Sequence, residues 1–202
     1  FRLPNIGAGD TNIEDDIYVA AMGGGYGTQF EGVGSALFLI NIENGRIHKV
    51  IDIEDMISSD IVNSVPGTPV VITPDTARGI EFRGAMVYTN DFEGKITKFN
   101  LTNMSDDGDG NAIALYDNTT LFNSGSTKSN GRYMYHSMDA TIGKKTNSLW
   151  LYSGTGDYER LTASSSAISN LLLGINDPHY PLYKEVKTPA LADDLTDCKN
   201  TT

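Results

Sequence analysis

A phrase recurs along this chain: an apolar strand, a tight turn built on Asn-Gly or Glu-Gly, and a second strand. It stands first as Ala36-Leu-Phe-Leu-Ile-Asn-Ile-Glu-Asn-Gly45-Arg-Ile-His-Lys-Val50, and again as Met86-Val-Tyr-Thr-Asn-Asp-Phe-Glu-Gly94-Lys-Ile-Thr-Lys-Phe99. Weaker echoes follow at Leu149 to Arg160 and at Leu171 to Tyr180. A hairpin repeated at about the spacing of one four-stranded blade is the signature of a β-propeller, so the fold class read from sequence is all-β. At roughly 40 to 50 residues per blade the 202 residues make about four blades, and we expect them to be part of a larger ring rather than a closed one. The propeller takes residues 1–188, and 189–202 read as a polar tail or linker.

The turn residues have a physical reason. A short hairpin loop needs a positive φ at its centre, and Asn-Gly meets that demand at little steric cost. Asn44-Gly45 and Glu93-Gly94 are therefore expected to close two- or three-residue hairpins. After the first turn, Ile47, Ile51 and Ile53 fall on one face and His48 and Asp52 on the other, the alternation of a half-buried strand. Before it, Ala36 to Ile42 is nearly all apolar, which suits a strand covered on both faces by neighbouring blades. Only Asp52 to Val65 has the makings of a short helix, as a connection between blades.

Composition narrows the function classes. The formal net charge of −11 disfavours nucleic acid and anionic lipid as partners, because both require a basic footprint. No apolar run reaches the roughly 18 residues of a membrane span. The single cysteine, Cys198, has no partner in the chain and is expected to pair, if at all, outside it. The first residue is Phe1 rather than Met, which points to a mature or cut form.

The order of phrases carries a family likeness. Ile17-Tyr-Val-Ala-Ala-Met-Gly-Gly-Gly-Tyr26, then Ala36 to Gly45, then Val87-Tyr-Thr-Asn-Asp-Phe-Glu-Gly94-Lys-Ile-Thr-Lys-Phe-Asn-Leu101 resembles the C-terminal propeller of the PilC/PilY type IV pilus adhesins. The likeness continues through Thr120-Leu-Phe-Asn123 and Leu151-Tyr-Ser-Gly-Thr-Gly-Asp157, covering most of Ile17 to Asp177. The resemblance implies an extracellular, non-enzymatic protein of the pilus tip or cell surface, needed for pilus extension and adhesion. Its implied partners are minor pilins and a host or surface receptor. Many members carry an Asp-rich calcium loop just before the Val-Tyr-x-x-Asp strand. Here that segment reads Thr73-Pro-Asp-Thr-Ala-Arg-Gly-Ile-Glu-Phe-Arg83, in which Asp75 and Glu81 do not supply alternating oxygen ligands.

Two other acidic segments are the candidate calcium loops. Ser105-Asp-Asp-Gly-Asp-Gly-Asn111 sets Asp107, Asp109 and Asn111 at alternating positions, and Asp10, Asn12, Glu14 and Asp16 form a looser version. Both depart from the EF-hand pattern, having no Gly at the sixth position with an acid at the twelfth. Catalytic signals are thin. His48, His136 and His179 stand in no metal-ligand spacing, and His136-Ser-Met-Asp139 gathers triad residue types only by adjacency. Met22-Gly-Gly-Gly-Tyr-Gly-Thr28 is followed by a strand and not by the helix that would hold a phosphate, so its glycines are read as sites of close backbone approach.

Aromatic residues remain. Tyr133, Tyr135, Trp150 and Tyr152 flank one hairpin and are read mostly as blade core. Tyr180 and Tyr183, in a loop with Pro178 and Pro181, are the candidate partner contacts. Three functions fit: a pilus-associated adhesin, a quinoprotein-like propeller dehydrogenase, whose repeats Ala36 to Gly45 also resemble, and a structural subunit of an extracellular filament. The dehydrogenase is disfavoured because its repeats bring docking tryptophans and this chain has one Trp.

Overall fold

In a computed structural model of the chain, the structure describes residues 1–4, 12–27, 33–54, 61, 63–75, 79–104, 106–158 and 168–195. The fold is all-β, with a short 3-10 turn at Ala192–Asp194. Half of the segment Asp52 to Val65, expected to hold a short helix, lies outside the described residues, as do Asp10 and Cys198, and the described half is not helical.

Three sheets follow one another along the chain. The first contains β1 (Arg2–Leu3), β2 (Ile17–Gly23), β3 (Ala36–Asn41) and β4 (Ile47–Asp52), in sequence order and antiparallel. The second runs β5 (Val70–Ile72), β6 (Gly84–Asn90), β7 (Lys95–Thr102) and β8 (Asn118–Asn123). The third runs β9 (Asp139–Ile142), β10 (Leu149–Gly154) and β11 (Leu172–Asp177). The tail does not stay apart: β12 (Ala190–Leu191) returns to pair in parallel with Phe122 and Asn123 of β8, and Ala192 and Leu195 pack against the core.

The second sheet lies between the other two, and it sets apolar side chains on both faces. Ala85, Val87, Phe99 and Leu101 meet Val19, Leu37, Leu39 and Ile51 of the first sheet. Met86, Tyr88 and Ile96 meet Leu149, Leu151, Leu173 and Ile175 of the third. Every residue of β6 is buried. Fully burying each large apolar side chain contributes about 1.5–3 kcal/mol, so the two interfaces hold the stack together.

This arrangement corrects the reading of Ala36 to Ile42. The strand covered on both faces is β6 and not β3, whose outward side chains Phe38 and Ile40 are only half-buried. The reason is position: the first sheet ends the stack, and its outer face meets no other sheet among the described residues. A bulge between Leu39 and Ile40 also slips the register against β4, so Ile51 points inward while Ile47 is exposed.

The turns divide. Asp91 and Lys95 close a three-residue loop over Glu93-Gly94, through Asp91 N–H donating to the Lys95 carbonyl at 3.2 Å, and Gly94 sits at φ +72°. The Asn44-Gly45 loop is longer than expected. Its closing pair is Asn41 with Arg46, at 2.9 Å, leaving four loop residues, with Gly45 still at φ +71°. The side chains of Asn41 and Asn44 accept the N–H groups of Glu43 and Arg46, which supports the wider turn.

One charge is sealed between the second and third sheets. The ammonium of Lys98, on β7, donates to Asp177 Oδ2 at 2.6 Å and to the Leu182 carbonyl at 2.7 Å, and the Tyr88 hydroxyl donates to the same carboxylate oxygen at 2.8 Å. Both charged side chains are fully buried. Burial holds the Lys98 ammonium below its usual range and Asp177 pulls it back; burial first and Asp177 second push the Tyr88 hydroxyl well up. Removing one partner strands the other, so Lys98→Met is expected to lower stability by about 3–5 kcal/mol in urea unfolding. Adding Asp177→Leu should recover much of that loss.

Candidate functional site

The connections between strands meet at one end of the stack. Val65 N–H donates to the Gly34 carbonyl, Gly25 N–H to Val65, Phe92 N–H to Ser64, Met134 N–H to Asp91, and Gly156 N–H to Tyr133. Segments after β2, β4, β6, β8 and β10 are thus laced together by backbone bonds of 2.8–3.3 Å. The glycine run after β2 makes this possible. A Cβ on Gly23 would lie 2.5 Å from the Val65 carbonyl oxygen, and one on Gly24 would overlap the Gly34 backbone, so these glycines serve close approach.

The laced segments bring six rings together. Tyr26 meets Phe92 edge to face with centroids 5.2 Å apart, and Phe92 meets Tyr135 at 4.5 Å. Tyr135 continues to Tyr158 at 5.9 Å and Tyr158 to His136 at 6.0 Å, while Tyr133 lies 6.4 Å from Phe92 and 6.2 Å from Tyr135. Phe92 is buried beneath the rest, whereas Tyr26 and Tyr158 are each 61% exposed. The result is an aromatic strip on a fixed floor. Its rings come from connections of all three sheets.

A polar knot supports that floor. Asp91 is 1% exposed. Its Oδ2 accepts from Asn63 Nδ2 at 3.1 Å and its Oδ1 from the Lys95 N–H at 2.9 Å. The Asn63 amide also donates to Glu93 Oε2 at 2.6 Å, and Lys95 Nζ pairs with the same oxygen at 2.7 Å. Burial pushes the Asp91 carboxyl up to about 7, against the hydrogen bonds from Lys95 and Asn63 that lower it. Asn90, one residue earlier, donates to the His136 carbonyl at 2.8 Å and Ser153 Oγ at 3.1 Å, tying this turn to β10 and its neighbour loop.

The residues singled out from sequence fall elsewhere. Tyr180 and Tyr183 are not surface contacts: both are buried in the core between the second and third sheets, where Lys98 lies 5.8 Å from the Tyr183 ring centroid. The loop folds back because Asp177 anchors its start and the Leu182 carbonyl takes the Lys98 ammonium. Trp150 and Tyr152, read as core, instead lie part-exposed on the outer face of the third sheet. Asp16, of the looser acidic segment, is held 3.0 Å from both Arg2 and Arg83. Ser137 is engaged as a structural acceptor for Thr68 N–H at 2.7 Å.

Asp107, Asp109 and Asn111 do share one loop, beside an open cleft of about 540 Å³. Asp107 turns inward and accepts from the Asn111 side chain at 3.0 and 3.2 Å and the Asp109 N–H at 3.0 Å. The Asn111 amide, first among these donors, holds the Asp107 carboxyl below its usual range. Lys184 is bonded to Asp109 and lies 4.0 Å from Asp107, so an ammonium stands where a cation would be drawn. Among the described residues no three His, Cys, Asp or Glu side chains gather to hold a metal.

Sequence reasoning missed Tyr26, Phe92, Tyr158, Asn63 and Asp91. A signal existed: Gly25-Tyr26-Gly27, Asp91-Phe92-Glu93-Gly94 and Gly156-Asp157-Tyr158 each place an aromatic ring beside turn glycines, in a connection and not a strand.

Two outcomes are expected. With its carboxyl raised from 3.8 to about 7, Asp91 binds a proton in the folded state that the unfolded state gives up, so its contribution to stability falls as pH rises through that window. Thermal unfolding from pH 4 to pH 8 should therefore show a downward slope that flattens in Asp91→Asn, whatever that variant's absolute stability. Separately, calorimetric titration should find Lys184→Ala binding Ca²⁺ more tightly than the unchanged chain; equal affinities would mean that Lys184 does not compete for the loop.

Comparisons of the chain with protein-family models, curated proteins and solved structures gave no match.

Proposed function

We propose that this chain is a non-enzymatic, extracellular contact module, built as consecutive propeller blades, that acts at a type IV pilus tip or bacterial cell surface. The observation that carries the contact reading is the aromatic strip, whose rings are delivered by connections from every sheet to one end of the stack. Surfaces assembled from several loops on a rigid scaffold suit recognition, since the scaffold bears the stability and the loops are free to vary. The pilus setting, with minor pilins and a surface receptor as partners, rests on the order of phrases from Ile17 to Asp177.

The propeller reading draws support from three meanders stacked face to face in chain order. It also draws on the two outer faces of the stack. Met22, Phe38 and Val50 lie in one cross-strand row of the first sheet, and Met22 is 51% exposed. On the third sheet Trp150, Tyr152 and Leu172 lie outward, with Leu172 91% exposed. Further blades would cover both.

The same faces favour a second reading, a filament subunit whose copies stack through them, because large exposed apolar patches mark association surfaces. Immunogold labelling of the source cell's surface filaments separates the readings. Label at filament tips is expected; label along the whole length would favour the subunit, and filaments without label would overturn the pilus assignment. Light scattering on the isolated chain should show self-association that weakens when Met22 and Leu172 are both changed to Lys.

A further inference from the structure

We infer that the aromatic strip is a saccharide site, and that its ligand is a short neutral oligosaccharide laid across Tyr26, Tyr135 and Tyr158. This rests on the contact reading above and names the partner class of that surface.

The chemistry of the strip selects the ligand. Its exposed members are tyrosines and a histidine, with no aliphatic side chain among the rings in contact. Tyrosine offers a flat apolar face and a polar tip. A sugar ring offers the counterpart, a face of polarised C–H groups and a rim of hydroxyls. The negative ring face attracts the C–H groups, and the stacking leaves the hydroxyls free to hydrogen-bond. Tyrosines set by packing lose little conformational freedom on binding.

Charge argues against the alternatives. Lys95 already neutralises Glu93 at 2.7 Å, and Asp91 is sealed beneath the floor, so neither of these carboxylates is open to a cationic ligand. The chain's net charge of −11 disfavours sulfated or sialylated sugars. A neutral ligand with many hydroxyls meets neither penalty. Glu93 keeps acceptor capacity for it, because a carboxylate offers about four lone-pair sites and, among the described residues, two are taken, by Asn63 and Lys95.

Length follows from the geometry. Tyr135 and Tyr158 lie 5.9 Å apart, close to the size of one sugar ring, and Tyr26 packs separately on the buried Phe92 at 5.2 Å. The strip therefore fits several sugar units better than one. With a shallow surface and stacking as the main attraction, affinity should be modest, with Kd on the order of 0.1–1 mM.

The test uses the whole chain. Cellotriose, maltotriose, triacetylchitotriose and N-acetyllactosamine are titrated while tyrosine fluorescence and NMR shifts are followed. At least one should saturate, with Tyr158→Ala and Tyr26→Ala each weakening it at least about fivefold, while Tyr158→Phe, which keeps the ring, retains most of the affinity. Both side chains are largely exposed, so the variants should keep the parent's thermal unfolding. In a second arm the chain is applied to immobilised mucin, native or oxidised with periodate. Binding lost on oxidation and in the Tyr26/Tyr158 double variant supports the inference. Binding that survives oxidation but falls in the double variant overturns the saccharide and leaves the contact reading standing. No saturation by any probe and no retention on native mucin overturns the saccharide site.

Discussion

The Lys98 to Asp177 pair is the constraint around which the rest is arranged. A lysine ammonium with no exposure is tolerated only because its proton donors are met by a carboxylate and a carbonyl, and those acceptors come from the third sheet and the loop after it. The second sheet therefore cannot present its inner face to anything else. Tyr88 adds its hydroxyl to the same carboxylate oxygen, and Tyr180 and Tyr183 close over the assembly as apolar walls. Hydrophobic area holds these sheets together, but it is indifferent to register; the buried charge is not. Once this pair fixes the two sheets, the loops after β6, β8 and β10 are brought to the common end where the rings meet.

Much of the scaffold was legible from sequence because turn chemistry is local. Gly94 takes the left-handed conformation that a three-residue hairpin requires, and the strands on either side follow. The echoes at Leu149 and Leu171 are real strands that pair with each other. What was not legible depended on the order of stacking. Ala36 to Ile42 is the more apolar of the two, yet only Met86 to Asn90 is covered on both sides, since that depends on which sheet stands in the middle. A bulge at Leu39 likewise reverses Ile47 with no mark in the hydrophobic alternation.

The site was less legible still, for a related reason. Tyr180 and Tyr183 sit in a proline-bearing segment that has every local mark of a surface loop, and only the distant Lys98 draws it inward. Tyr26 and Tyr158 carry no special signal beyond a neighbouring glycine. They form a surface because the backbones of five connections bond to one another across the end of the stack. A run of residues reports what each position prefers; it does not report which connections share an end.

The separation of the paired charges along the chain has a further consequence for how the protein is made. Asp177 follows Lys98 by 79 residues. At ribosomal rates of 5–20 residues per second, the ammonium of a newly emerged second meander waits roughly 4–16 s for its counter-charge. Until then that sheet has no way to close its inner face without stranding a cation, so it stays open, or hydrated, through the synthesis of the third. An array of sheets that looks modular in space is thereby obliged to consolidate late, and its first two meanders are the segments a nascent-chain chaperone would meet unfinished.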